Sequence, residues 1–318
     1  MAVYTQVSAE ALSAFLAGFD VGALVSAKGI AEGVENSNYL VDTSDARFIL
    51  TLYEKRVAAD DLPYFMALLD HLASRGNPVP PAIPDRDGRL IHELEGRPAC
   101  LIQFLSGVSV TQPTPAQARA AAEAMGRMHA GLSDFSLNRP NSMGIDTWAE
   151  QLTRCGRDLD AIDNGLFDRL SAALDRIIAQ WPRHLPSSAI HADLFPDNVL
   201  MLGDRVTGLI DFYFACTDIR AYDVAVMHGA WAFDGTGRAY DDEVGGALLA
   251  GYQSSFGLSE DERAALPILA EGAALRFLLS RAWDWLNTPA DAMVTRKDPL
   301  AYLRRLDFYR EHGTTIFA

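Results

Sequence analysis

Residues 191–200 read "HADLFPDNVL". Two carboxylates, Asp193 and Asp197, and the carboxamide of Asn198 fall within six residues of one another, beside a histidine and a proline. Alone, such a cluster resembles a polar turn capped by its own side chains. The flanks argue for more. "SAI" (188–190) and "NVLML" (198–202) are short apolar runs that read as strands. "GD" (203–204) is a tight turn, and "RVTGLID" (205–211) returns as a further strand. Asp211 then stands at a strand end, brought back towards Asp193 by a hairpin. Asp193, Asn198 and Asp211 are expected to converge. Hard oxygen donors of this kind suit Mg2+, which prefers one or two carboxylates together with water and substrate phosphate. No His/Cys cluster competes for a softer metal.

The chain of 318 residues is long enough for two lobes, each with a core of its own. Its 49% hydrophobic and 22% charged residues are those of a globular protein. A net charge of −15 argues against nucleic acid as a partner, because phosphate backbones select basic faces. Cys100, Cys155 and Cys216 are odd in number and far apart, so no disulfide framework is expected. The N-terminus lacks a cleavable leader pattern, and no apolar run approaches ~20 residues. A cytoplasmic protein with no membrane partner is expected.

Upstream, Ser8 caps a first helix with Leu12, Phe15 and Leu16 on one stripe. Three strand-like runs follow at 23–30, 38–44 and 47–55, then a helix over 60–75 with Pro63 in its first turn and Gly76 at its end. "RLIHEL" (89–94) and "RPACLIQFL" (97–105) read as two more strands. Thr114, Pro115 and Gln117 form a helix start, and Ala121, Met125, Met128 and Leu132 form one helical stripe. Beyond it the chain is helical at about 114–132, 147–162, 166–181, 220–233, 240–256, 260–286 and 298–310, interrupted at 188–211. The expected fold is α+β: a small antiparallel, β-rich N-terminal nucleotide lobe (1–105) and a larger, mainly helical C-terminal catalytic lobe (106–318).

His191-x-Asp193-x-x-x-x-Asn198, followed by Asp211 18 residues after Asp193, is the layout of kinase catalytic loops. In that chemistry Asp193 accepts a hydroxyl proton, and Asn198 and Asp211 hold magnesium at the phosphates. The stretch resembles the aminoglycoside phosphotransferase and choline kinase superfamily rather than protein kinases proper. Ala192 stands where a protein kinase has arginine, Phe212-Tyr213 replaces Phe-Gly, and no A-P-E segment follows. "AMGRMHAGL" (124–132) is similar to the superfamily's Leu-His helix. Within it, "GIAEGVENSNYLVDT" (29–43), "FILTLYEKR" (48–56), "DLPYFMALLDHLASRG" (61–76), "GLIDFYFACTDIRAYDVA" (208–225) and "KDPLAYLRRLDFYR" (297–310) are most similar to the homoserine kinases of the phosphotransferase type. That resemblance implies a protein-kinase-like fold and ATP-dependent phosphorylation of the L-homoserine hydroxyl, in threonine biosynthesis. Other amine-alcohol acceptors (choline, ethanolamine, an aminoglycoside) and a non-catalytic nucleotide-binding regulator are the alternatives. The filled base and metal positions argue against the last.

"GIAEGVENSNY" (29–39) lies where a phosphate-covering loop would sit. Backbone amides about Gly33 and the side chains of Asn36, Ser37 and Asn38 are candidates for the phosphate oxygens. Backbone groups near Gln103 to Leu105 would read the adenine edge. Kinases carry a basic residue on the third strand, paired with a helical Glu. Here Thr51 stands about where that residue belongs; Lys55, which shares a face with Thr51, either substitutes for it, or magnesium and the loop alone hold the phosphates. Asp60, Asp61 and Asp70 are the candidate helical partners. His191 is expected to order the loop by hydrogen bonding, towards Asp211 or backbone. The resemblance gives Asp223 a bracing role, while Asp218 either binds the substrate ammonium or caps the following helix. Trp231, Phe233, Trp283 and Trp285 read as core. On 271–285, Arg276 shares a face with Ser280 and Trp283, opposite Leu275, Leu278, Leu279 and Ala282. An arginine on so apolar a helix requires a buried carboxylate or a ligand. Arg276 is the first candidate for the homoserine carboxylate and Arg281 the second.

Overall fold

A computed structural model describes residues 4–30, 36–54, 57–288 and 296–318. The chain divides into two compact units, residues 1–107 with 207–213, and residues 108–206 with 214–318.

The first unit opens with α1 (Ala9–Leu16), whose N-cap Ser8 accepts the amide of Ala11. Three strands follow, β1 (Leu24–Ile30), β2 (Ser37–Thr43) and β3 (Arg47–Leu52). Then come α2 (Leu62–Ser74), β4 (His92–Leu94) and β5 (Arg97–Gln103). The five strands form one antiparallel sheet in the order β1-β2-β3-β5-β4. Alternation sets its register, because a slip of one residue would turn every apolar side chain to the other face. Tyr39 faces Leu50, Val41 faces Phe48 and Leu50 faces Leu101 across the strands. These residues close one core with Leu12, Leu16, Phe19 and Val21. Burial of a side chain such as Leu50 contributes about 1.5–3 kcal/mol, and truncation to alanine there costs roughly 2–5 kcal/mol.

β3 is shorter than its sequence pattern. It ends at Leu52, and Tyr53 and Glu54 lie outside the strand. Residues 207–213 belong to this unit because Tyr213 packs edge-on against Tyr53 and Phe65, and the Leu209 amide donates to the Pro78 carbonyl at 2.7 Å.

The second unit holds α3 (Pro115–Gly131), α4 (Ile145–Cys155) and α5 (Leu166–Gln180). The strands β6 (Ser187–Ile190), β7 (Val199–Leu202), β8 (Arg205–Leu209) and β9 (Cys216–Ile219) come next. Four helices complete it: α6 (Arg220–Trp231), α7 (Asp242–Ser255), α8 (Glu260–Asn287) and α9 (Leu300–Ile316). β7 pairs with β8, and β6 pairs antiparallel with β9. Thr114 and Gln117 form a full capping box on α3, and Ser259 and Glu262 another on α8. α3 and α7 cross where glycine permits: a Cβ on Gly251 would strike the Arg119 carbonyl. Among the described residues, no helix is long and apolar enough to cross a membrane.

Four details differ from the sequence pattern. β9 is an added strand. α4 stops at Cys155, and a 3-10 segment (Gly156–Ala161) follows Gly156 at φ +56°. α9 continues to Ile316 because Tyr309, Gly313 and Phe317 are buried by tertiary packing. Of the aromatic quartet only Trp231 is core. Phe233, Trp283 and Trp285 are half-buried, the last two under the guanidinium groups of Arg154 and Arg296.

Candidate active site

In the second unit, residues 191–198 connect β6 to β7 and are pinned from several directions. Asp223, fully buried on α6, accepts the amides of His191 (2.8 Å, Oδ2) and Ala192 (2.7 Å, Oδ1). Its Oδ2 also meets Nε2 of His129 at 3.2 Å, and Nδ1 of His129 meets the Tyr252 hydroxyl at 2.8 Å. Burial alone would push the Asp223 carboxyl up. The His129 contact and the neighbouring His191 outweigh it and hold the carboxyl below its ordinary range. Ala192 has φ +63°, in the left-handed region that a β-carbon disfavours. His191 is buried, and its Nδ1 accepts the amide of Asp193 at 3.3 Å, so the backbone is a partner of the ring.

Downstream, the Asn198 Nδ2 donates to the Asp193 carbonyl at 2.8 Å and lies 3.3 Å from Asp193 Oδ2. The Asn198 NH2 is thereby committed to the loop, and its amide oxygen is the atom left for another role. Trp231 Nε1 donates to the Leu194 carbonyl at 2.9 Å, and the Phe195 ring packs edge-on against Phe277 of α8.

The two arginines of α8 behave differently. Arg276 Nη1 lies 3.5 Å from Asp193 Oδ1, with the Arg276 side chain 5% exposed and that of Asp193 20% exposed. The carboxylate that Arg276 requires is thus the half-buried Asp193 itself. Arg281 lies over the Tyr302 ring at 4.5 Å. Asp218, on β9, accepts from Asn141 Nδ2 at 2.7 Å and from the Ile219 amide at 2.7 Å. Burial pushes its carboxyl up from the ordinary range. It is not the cap of α6, whose N-cap is Ile219 with no side-chain hydrogen bond.

In the first unit, Asp211 is exposed and has φ +65°. Ser37, expected at phosphate, is fully buried. Its hydroxyl donates to Glu54 Oε1 at 2.8 Å and accepts the amides of Tyr4 and Thr5. The Asn36 Oδ1 accepts the Glu54 amide at 3.3 Å, and the Asn38 Oδ1 accepts the Thr51 hydroxyl at 2.8 Å. The Gln103 amide donates to the Pro81 carbonyl at 3.0 Å, and Leu105 is half-buried beyond the end of β5. Asp60 and Asp70 are exposed and Asp61 is half-buried. Gly33 and Lys55 lie outside the described residues.

The family model of the phosphotransferase enzyme family matches residues 26–267. The chain belongs to that family. Curated relatives include a homoserine kinase of Zymomonas mobilis, 53% identical over 98% of each chain. A homoserine kinase of Rhizobium etli is 51% identical over 99% of this chain and 98% of its own. Among solved structures, an amicoumacin kinase in complex with AMP-PNP, Ca2+ and Ami superposes with a TM-score of 0.70 at 13% identity, covering 96% of this chain and 94% of that one. A microcompartment-associated aminopropanol kinase gives 0.67 at 19%, covering 98% and 99%. At such identities the structures establish the fold, which is the protein-kinase-like α+β fold of these phosphotransferases.

His129 and Trp231 are loop partners that sequence reasoning did not assign. The "MHAGL" run marked the helix of His129, yet its partner Asp223 lies 94 residues away. Tyr302, inside the "KDPLAYLRRLDFYR" stretch, is the other omission. An aromatic at helical spacing is indistinguishable from ordinary core until its neighbours are known.

Proposed function

We infer that this chain is a homoserine kinase, transferring the γ-phosphoryl group of ATP to the side-chain hydroxyl of L-homoserine to give O-phospho-L-homoserine. The observation that carries this reading is identity of about half the residues, over nearly the whole length, with curated homoserine kinases. Asp193 is the base. The homoserine oxygen attacks the γ-phosphorus, its proton passes to Asp193, and the bond to the β–γ bridging oxygen breaks with its electron pair leaving on ADP. Asn198, through its uncommitted amide oxygen, and Asp211, an exposed carboxylate two residues past β8, are donors of the type that Mg2+ takes. When bound, Mg2+ supplies charge neutralisation at the phosphates. Positioning and electrostatic stabilisation, rather than covalent chemistry, carry the rate.

Asp223 and His191 are structural supports of the loop. Asn36 and Asn38, whose NH2 groups have no partner among the described residues, backbone about Gly33, and Lys55 are assigned to the phosphates. Ser37 is withdrawn from that set because its hydroxyl is enclosed and bonded to Glu54. Backbone from Gln103 to Leu105 is assigned to adenine, with Leu105 favoured because the Gln103 amide is occupied by Pro81. Asp218 suits the substrate ammonium: a half-buried carboxylate with a raised pKa gains most from a cation. Arg276 and Arg281 are the cations available for the carboxylate.

The test is ADP release from the purified protein with L-homoserine, choline, ethanolamine and an aminoglycoside, with the product identified by 31P NMR. Turnover of homoserine to its phosphate ester is expected. Turnover of another acceptor with none of homoserine would refute the reading.

A further inference from the structure

The two arginines of α8 differ in what surrounds them. The Arg276 guanidinium lies over the Phe277 ring at 3.9 Å and 5.3 Å from the Phe214 ring, with Asp193 at its third side. A substrate carboxylate reaching it would have to displace Asp193 or lie against it. Two carboxylates sharing one site repel each other strongly.

Arg281 is half-buried, and among the described residues it has no ion pair and no side-chain hydrogen bond. Its neighbour is the Tyr302 ring, which is shared with Arg305, also at 4.5 Å. Burial pushes its guanidinium down, Arg305 adds to this, and Asp298 and Asp193 act against it without pairing. A largely desolvated cation with no counter-charge is costly to hold. Its planar fork matches a carboxylate in two-point contact.

One aromatic layer joins the two positions. Phe277 stacks on Tyr302 with centroids 5.1 Å apart, Arg276 lies on the first ring and Arg281 on the second. Five residues of helix separate them, about 7.5 Å of rise. That span is comparable with the reach of a four-carbon amino acid whose hydroxyl is at Asp193.

We propose that these arginines divide the work of the site: Arg276 is a positioning residue that holds Asp193, and Arg281 receives the carboxylate of the substrate. The proposal rests on the homoserine reading. It reverses the order in which helix position alone ranks the two.

The experiment is steady-state kinetics of the full chain and of Arg281→Gln, Arg281→Lys, Arg276→Gln and Arg276→Lys. The acceptors are L-homoserine and 3-aminopropan-1-ol, which is homoserine without its carboxylate. Melting temperature and ATP KM report folding. Arg281→Gln is expected to raise the homoserine KM roughly 10–150-fold, the loss of a charged hydrogen bond, with kcat and ATP KM nearly unchanged. Its preference for homoserine over 3-aminopropan-1-ol should fall by a similar factor, and Arg281→Lys should recover part of both.

Arg276→Gln is expected to lower kcat on the order of 100-fold for both acceptors, the effect of a displaced base, with little change in homoserine KM. Arg276→Lys should restore part of kcat, and it carries the test if the glutamine variant does not fold. Parental KM and preference in a folded Arg281→Gln variant would overturn the proposal. So would an Arg276→Gln variant that loses homoserine affinity and spares 3-aminopropan-1-ol. A parent protein that is active on homoserine but equally active without the carboxylate overturns this division alone. A parent inactive on homoserine refutes the functional reading instead.

Discussion

Asp223 Oδ1 accepts the amide of Ala192 at 2.7 Å, and Ala192 is held at φ +63° immediately before Asp193. A non-glycine residue held in so sparsely populated a conformation costs of order 1–3 kcal/mol. Each hydrogen bond to a charged group contributes about 1.5–3 kcal/mol. Asp223 makes two such bonds to the loop and a third contact to His129, so the clamp outweighs the strain. The strained backbone turns Asp193 out of β6, and the buried carboxylate holds it there.

Asp223→Ala should therefore lower stability by roughly 3–5 kcal/mol, because the groups it pairs are left buried without a partner. Urea denaturation measures this, and kcat should fall with it. A stability loss within experimental error would show that the loop is held by other contacts. Acid dependence follows from the depressed carboxyl of Asp223. Its contribution is complete above the ordinary value of 3.8 and is lost as pH falls through the lower folded value.

Asp193→Asn should reduce kcat by about 10²–10⁴-fold while the protein remains folded and ATP KM changes little. Rapid-quench measurement of phosphoryl transfer separates chemistry from product release. A transfer rate within about threefold of the parent would remove Asp193 from the base position.

Asp211→Asn should raise the Mg2+ concentration needed for half-maximal rate by at least about tenfold, since even partners of metal ligands commonly contribute that much. Homoserine KM at saturating Mg2+ should be spared. Calorimetry of ATP binding with and without Mg2+ gives the same comparison without turnover. Equal loss for both substrates would indicate general disruption instead.

His228 offers a prediction remote from the chemistry. It is fully buried on α6, its Nδ1 meets the Tyr309 hydroxyl at 2.7 Å, and burial pushes its pKa down to about 3 from 6.5. A group whose folded pKa is depressed stabilises the fold above its unfolded value, and that stability is lost as pH falls towards the folded one. The window is thus pH 6.5 down to about 3. Between pH 7 and pH 5 the protein should lose about 2 kcal/mol through this residue. His228→Asn should flatten that limb of the stability curve. An unchanged slope between these pH values would show that His228 does not cause it.

The local sequence by itself determined most of the elements and the spacing of the residues assigned to the site. Alternation in β2, β3 and β5, the capping boxes at Thr114 and Ser259, and the spacing of His191, Asp193, Asn198 and Asp211 are short-range patterns. Each follows from backbone geometry and side-chain chemistry within a few residues. Tertiary structure decided what those residues touch. β9 was illegible because a four-residue strand is specified by its pairing with β6, some thirty residues away, more than by its own composition. α9 outran its pattern because burial of Tyr309 and Phe317 overrides weak local propensity. Ser37 looked like a phosphate donor until the sheet enclosed it against Glu54. Helix periodicity put Arg276 and Arg281 on α8, but their surroundings came from Tyr302 of α9, Phe214 and the 191–198 loop. A guanidinium's role depends on the counter-charge within a few ångströms, and folding places that charge from distant parts of the chain.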